Sequence, residues 1–423
     1  MTLKRIHKKT ENSEFGLYPR LRKGIEVVYA ETDENEELVG LKDNWGLTSE
    51  IIWLSPDIYY MLQYFDGMHS HMDMQQAYKK KFGEFLFKKT LDDLISVLDE
   101  HYLLDNSRSE RQIYELNKVY SLQPYRYPKH AGVCYSDDPQ QLSKQIDQYG
   151  KEMPVNRTLV NSVINLDICA AIIPHIDIRL GGGVYANVYK ILSQARPADV
   201  YIVLGIAHRG LQNLFTLSNK NFQTPFGIVK TDNEIIDSIR SDCDFDVFAD
   251  EWSHGYEHSI EFQTIFLQHY IHSEFKIVPV LTSFPHTVFQ NENSLEHSSF
   301  CDFIRAIQRA VEKSGKRVCF IASVDFAHVG PAYGGPENMT SKFRVKVEQN
   351  DKLILDALSK RDIKLFHQLI AEYDNPYRIC GYSALISLLY CLQGDGKGEC
   401  LAYEGARMDD QVSLVTFAGM IYK

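Results

Sequence analysis

Three stretches of this 423-residue chain share one design, a short apolar run that ends on a histidine or a carboxylate. Leu166-Asp-Ile-Cys-Ala-Ala-Ile-Ile-Pro leads to His175 and Asp177. Asp199-Val-Tyr-Ile-Val-Leu-Gly leads to His208. Arg317-Val-Cys-Phe-Ile-Ala-Ser-Val leads to Asp325 and His328. Runs of this length, rich in Val, Ile and Phe and without polar alternation, are those of strands buried on both faces of an α/β sheet. Ligands of open α/β sheets sit beyond the carboxyl ends of the strands. Three strands that deliver imidazoles and carboxylates to that edge predict one shared polar site, of the kind that holds a metal.

The pattern around these runs predicts an α/β region with helices at 138–149, 183–195, 233–238, 259–270, 299–313, 341–359, 363–371 and 382–392. Strands are expected at 166–173, 199–205, 275–281, 317–323, 400–404 and 413–422. Residues 1–125 read differently. Ile25-Glu-Val-Val-Tyr and Leu38-Val-Gly-Leu flank the acidic Glu31–Glu37 stretch as a hairpin. Helical patterns follow at 58–65, 72–82 and 85–100, the last with Leu91, Leu94, Ile95 and Leu98 on one face. Tyr102-Leu-Leu-Asp reads as a returning strand or wing. Hairpin, three helices and wing make a small winged-helix-like α+β domain over 1–125. The proline-bearing segment 122–131 reads as a linker to an α/β domain over 126–423.

The formal net charge of −11 gives no global pull toward nucleic acid or an anionic membrane. Within residues 1–126 acidic groups outnumber basic ones, which argues against DNA as the partner of the winged-helix-like domain. No apolar run approaches a membrane span. The polar Met1–Glu14 segment lacks the apolar core of a signal peptide. Eight scattered cysteines without a CxxC pair fit a reducing cytoplasm.

Beyond the strand-end residues, three local constellations carry chemistry. Trp252-Ser-His254-Gly-Tyr-Glu257-His258-Ser-Ile-Glu261 brings two histidines and two carboxylates to the start of a helix. Capping of that helix, with Ser259 as the cap, and an active-site role weigh equally there. Asp325 and His328, three apart, can bind metal or work as an oriented acid–base pair. Cys380, before Gly381 at a helix start, is expected to have a lowered thiol pKa. Gly181-Gly-Gly reads as a turn entering a helix rather than a phosphate loop. Two imidazoles with a thiolate suit copper, iron(II) or zinc; two imidazoles with a carboxylate suit non-haem iron(II). The residues by themselves leave that choice open.

The chain resembles the Memo family, also called AmmeMemoRadiSam system protein B, from about His130 onward. His130-Ala-Gly-Val-Cys-Tyr resembles HAGxWY, and Pro174-His175 resembles PHAGY. Leu204-Gly-Ile-Ala-His208 resembles LGPSHH, and Thr224-Pro-Phe-Gly resembles TPLG. Glu257-His-Ser-Ile-Glu resembles EHSxE, and Ser323-Val-Asp-Phe-Ala-His328 resembles SSDFxH. Ile379-Cys-Gly resembles ICGR, and Ser413–Gly419 resembles SVSYAAG. Eight motifs in order are specific where each alone is weak.

The resemblance implies an αβα fold with a mixed central sheet, similar to class III extradiol dioxygenases. It implies metal ligands at His175, His208 and Cys380, with Asp325, His328 and His258 beside the metal as catalytic groups. Iron or copper is the implied metal, with zinc less favoured. Asp177, Arg209 and Tyr382 depart from the family's glycine, second histidine and arginine, and Asp177 adds a carboxylate near the expected metal. The N-terminal region resembles PqqD-like winged-helix modules, which implies a peptide or radical SAM protein as partner. The expected function is a cytoplasmic metalloprotein, either a dioxygenase-like oxidoreductase or a non-catalytic metal carrier or partner subunit. A zinc-dependent hydrolase is the further alternative.

Overall fold

The computed structural model describes residues 18–31, 37–290, 294–333, 335, 340–394, 396–409 and 413–423. Met1–Glu14 and residues 32–36 of the acidic Glu31–Glu37 stretch lie outside the described residues. The chain forms two compact units, Met1–Val119 and Tyr120–Lys423.

The first unit opens with an antiparallel three-stranded sheet in the order β1 (Ile25–Glu31), β2 (Glu37–Asp43), β3 (Ile52–Leu54). Helices α1 (Pro56–Met61), α2 (His71–Phe82) and α3 (Lys88–Glu100) follow. Each has a readable local cause. Pro56 stands at the first position of α1, and Ser70 and Asp73 form a reciprocal capping box on α2. Leu91, Leu94 and Leu98 of α3 are buried against Leu41, Leu54, Met61 and Phe65. The expected wing is not a strand: Leu104 makes one isolated bridge to Leu21. A helix the sequence reading did not anticipate, α4 (Ser107–Ser121), comes next.

The second unit is built on a mixed sheet. Four strands run parallel: β4 (Ala170–Ile173), β5 (Val200–Ile206), β9 (Lys276–Thr282) and β10 (Val318–Ser323). Antiparallel strands flank them: β6 (Phe215–Leu217) beside β9, and β13 (Leu414–Tyr422) beside β4. The strands β11 (His328–Val329) and β12 (Gly398–Arg407) pair with β13. Strands β7 (Phe222–Thr224) and β8 (Gly227–Val229) form a separate hairpin. The central order is β4-β10-β5, so the three runs singled out in the sequence are adjacent and parallel.

Alternation explains their unbroken apolar character. Ala170 and Ile172 of β4 pack into one core, and Ala171 and Ile173 into the other. Val200, Ile202, Leu204 and Ile206 of β5 face the first, while Tyr201 and Val203 face the second. The first core is completed by α8 (Asn233–Asp242), α10 (Leu295–Ser314), α11 (Ser341–Ser359), α12 (Ile363–Ala371) and α13 (Tyr382–Cys391). The second is completed by α5 (Pro139–Glu152), α7 (Ile178–Leu192) and α9 (Glu261–Tyr270), with Val163 from α6 (Arg157–Val163). This is an αβα architecture with a mixed central sheet.

Three local expectations are corrected. Gly181 to Gly183 are helical, inside α7. A Cβ on Gly182 would stand 2.5 Å from the Tyr149 ring, so the glycine serves close packing of α5 on α7. Residues 122–131 belong to the second unit rather than to a linker, because Arg126 is fully buried there. Asp177 is the N-cap of α7 and pairs with Arg179, which takes up the carboxylate expected near the metal. Among the described residues, no helix is long and apolar enough to cross a membrane.

Candidate metal centre

The carboxyl ends of β4, β10 and β5 converge on three imidazoles. Ligand atoms of His175, His208 and His258 lie within 4.8 Å of one another. Their ring centroids are 4.8 to 5.4 Å apart, and the His208 and His258 rings are stacked. His175 is buried, whereas the side chains of His208 and His258 are 36% and 30% exposed, so the cluster opens on their side.

Each ring is held by the same atom. The His175 Nδ1–H donates to the Ser323 carbonyl at the end of β10, at 2.8 Å. The His208 Nδ1–H donates to Glu257, at 3.1 Å, and Glu257 also accepts the His208 backbone N–H. The His258 Nδ1 lies 3.1 Å from the same carboxylate. Oxygen partners on Nδ1 fix the tautomer and ring plane and leave Nε2 as the donor toward a metal.

Cys380 joins this group. Its Sγ is 3.4 Å from His175 Nε2 and 3.7 Å from the Asp325 carbonyl oxygen. Gly381 makes that placement feasible, since a Cβ there would come within 2.9 Å of the Asp325 carbonyl. The expected lowering of the thiol pKa is corrected. Burial pushes the thiol up, and this outweighs the His208 contact. The sequence assignment paired Cys380 with His175 and His208 and gave His258 a proton-moving role; the structure groups His258 with the two histidines and also brings Cys380 to His175.

Asp325 accepts the backbone N–H groups of His175 and Ile176, and its other oxygen is 3.5 Å from His175 Nε2. Burial pushes its carboxyl up to about 7. His328 is turned by its Nδ1 to the Phe326 carbonyl, and burial lowers it to about 4. Among the imidazoles, burial and the two neighbouring rings hold His175 well below its ordinary value. Burial opposes protonation of His208 as well, but Glu257 and Cys380 hold it well above. Glu257 itself is held well below the carboxylate range by the two imidazoles, despite burial.

Two supports were hidden in the sequence. Arg126, inside the segment read as a linker, donates to the carbonyls of His254 and Glu257 and forms a buried ion pair with Glu261. It clamps the loop that carries Glu257 and His258. On the other side, Thr416 of β13 binds the Asp325–His328 segment three times. It accepts the Phe326 and Ala327 N–H groups and donates its own to the Ala327 carbonyl. The Thr416 hydroxyl donates to the buried Asp351 of α11, which also accepts from Tyr403. Gln263 of α9 adds a bond to the Pro174 carbonyl, beside His175. No residue type or spacing marks Arg126, Thr416 or Asp351; only the long-range pairing reveals them.

The EHSxE motif does not cap α9 through Ser259. The Ser259 hydroxyl binds the backbone of Ile206 instead, and the N-cap of α9 is Ile260 without a side-chain bond. Of the departing residues, Arg209 lies over the Tyr256 ring at 4.8 Å. Tyr382 turns into the core, where its hydroxyl shares a hydrogen bond with His367 Nδ1 at 2.8 Å.

A family model described as Memo-like protein matches residues 126–421. The MEMO1 family protein of Aquifex aeolicus is 28% identical over 384 residues, covering 90% of this chain and 95% of the relative. That match reaches well into the first unit. The MEMO1 family protein of Methanosarcina barkeri is 29% identical over 300 residues, covering 70% of this chain and 99% of the relative. The relative from Methanocaldococcus jannaschii is 28% identical over 312 residues, covering 70% and 98%. With the family model spanning the sheet and every residue of the centre, the chain belongs to the Memo family.

Proposed function

We propose that this protein is a metalloprotein with a redox-active iron or copper centre held by His175, His208 and Cys380, and that it brings O₂ and a small-molecule substrate together there. The observation that carries this reading is the common engagement of Nδ1, which leaves the Nε2 atoms of three clustered rings free, with the Cys380 Sγ 3.4 Å from that of His175. A bound ion of this kind supplies electron transfer and a Lewis-acid position, and it stabilises the thiolate that burial alone disfavours. The protein's residues do the rest. Glu257 holds His208 and His258 in place. Asp325, with a carboxyl near 7, exchanges a proton around neutrality. His328, neutral at that pH, and His258 on the open side move protons to and from the bound molecule.

A second reading rests on the three-imidazole group itself. Three histidines with an open position suit zinc and hydrolysis by its bound water. Anaerobic loading with iron(II), copper(I) and zinc(II), followed by metal analysis of Cys380→Ser and His258→Ala, separates the two. Loss of iron or copper in Cys380→Ser with retention in His258→Ala supports the thiolate centre. The reverse, with zinc retained by Cys380→Ser, favours the three-histidine site and hydrolysis. Stable copper without O₂-dependent turnover favours a metal carrier.

The first unit is assigned to recognition of a peptide or of a protein partner such as a radical SAM enzyme, in a reducing cytoplasm. Strand β1 lies at the edge of its sheet, where an extended segment can add by main-chain hydrogen bonds. Tight, steeply salt-dependent binding of duplex DNA by the full-length protein would overturn this assignment.

A further inference from the structure

Glu257 and Glu261 of one motif grip two different histidines in the same way. Glu257 accepts the backbone N–H and the ring Nδ1 of His208. Glu261 accepts the backbone N–H of His130 at 2.9 Å and its ring Nδ1 at 3.1 Å. His130 is not one of the three clustered imidazoles, yet its ring centroid is 5.7 Å from that of His258. Its side chain is 22% exposed, so the ring, like those of His258 and His208, is not sealed from solvent.

A purely structural role for the ring does not account for this grip. A carboxylate has about four acceptor sites. Those of Glu261 are already matched by Arg126, by the Tyr135 hydroxyl and by the backbone N–H groups of Lys129 and His130. The imidazole is a fifth donor, so the carboxylate does not need it. What the contact does is lock the ring: Nδ1 carries the hydrogen, and Nε2, on the far edge from Glu261, is left with its lone pair. The lock is rigid because Glu261 is itself buried against Arg126, which also ties down the Glu257 carbonyl.

We propose that His130 is a further residue of this centre, a fourth imidazole that does not ligate the metal but accepts a hydrogen bond through Nε2 from a ligand bound there. The ligand class is a metal chelator with an N–H or O–H beside its chelating atoms. The inference rests on the metal-centre reading, and the test distinguishes the two.

Cobalt(II)-loaded protein is titrated with acetohydroxamic acid and with its N-methyl analogue, which lacks the N–H, and visible absorption reports binding. The parent is expected to prefer the first by about tenfold, the worth of one good hydrogen bond. His130→Phe, which has no acceptor, removes the preference at unchanged cobalt stoichiometry. His130→Gln, whose amide oxygen can accept, keeps part of it. A parent without preference, or His130→Phe with the parent's preference, overturns the role of His130 and leaves the metal centre standing. Cobalt loss in His130→Phe equal to that in His208→Ala makes His130 a ligand or a support of the fold, against the proposal. A parent that takes up no cobalt removes the metal centre and this role with it.

Discussion

The centre lies between two loops that are held in place by opposite chemistry. The loop bearing Glu257 and His258 is fastened by Arg126 and Glu261, an ionised pair inside the protein. The segment bearing Asp325 and His328 is fastened by Thr416, Tyr403 and Asp351, hydroxyls around a buried carboxylate whose Oδ1 has no partner among the described residues. Arg126 and the neighbouring donors hold Glu261 far below the carboxylate range although burial opposes them. Burial pushes Asp351 up to about 6, because two hydroxyls and no cation face it. One loop is therefore anchored by a charge that must be present, and the other by a group that resists becoming charged. Glu257 and Asp325 repeat the contrast within the centre itself, one held low by two imidazoles, the other pushed up by burial.

The contrast can be broken most severely at Arg126. Arg126→Met leaves Glu261 buried without its cation and should cost about 3–5 kcal/mol in denaturant unfolding at pH 7. Because the Glu261 carboxyl is depressed in the fold, its contribution is present above the unfolded value and lost as pH falls. The penalty of Arg126→Met should therefore shrink in acid, and Arg126→Met with Glu261→Gln should recover part of it. A penalty independent of pH would mean that packing of the side chain, not the ion pair, anchors this loop.

Asp351 sharpens the comparison with the opposite sign. Its folded value lies above the unfolded one, so its contribution is fully present below about pH 4 and is lost as pH rises through about 6. Between pH 4 and 8, Asp351→Asn should gain on the parent by roughly 2–3 kcal/mol, read from unfolding curves at each pH. A constant difference between the two proteins would place the Asp351 carboxyl at its ordinary value and erase the asymmetry.

The smallest effect separates the two carboxylates at the centre. Glu257→Gln should weaken metal binding by about 10- to 100-fold, as expected for a group that orients ligands. Asp325→Asn should weaken it less, and Asp325→Ala should lose less metal than His208→Ala. Equal or greater loss on changing Asp325 would make it a ligand and favour a centre of two histidines and one carboxylate.

How much of this was legible in the sequence follows from the range of the interactions. Strands buried on both faces announce themselves: β4 and β10 lie within the expected runs, and β5 and β9 overrun theirs by one residue. Strands of two or three residues, β6, β7, β8 and β11, are too short to show a period. The start of α7 was masked by three glycines, whose cost in a helix is offset here by close packing against Tyr149 and Ile176. At the site, residue types marked the histidines and Cys380, because those side chains carry the chemistry. The sign of the Cys380 shift could not be read, since it depends on how completely the surrounding elements exclude water.

The pairing of β13 with β4 has a consequence for the protein's birth. Cys169 and Tyr422, which meet where these strands join, are 253 positions apart. Thr416, on β13, is what fastens the Asp325–His328 segment. A nascent chain can emerge from the ribosome with every histidine of the centre and Cys380 already outside and still lack the strand that closes it. A metal meeting the chain during synthesis would meet a half-built cage.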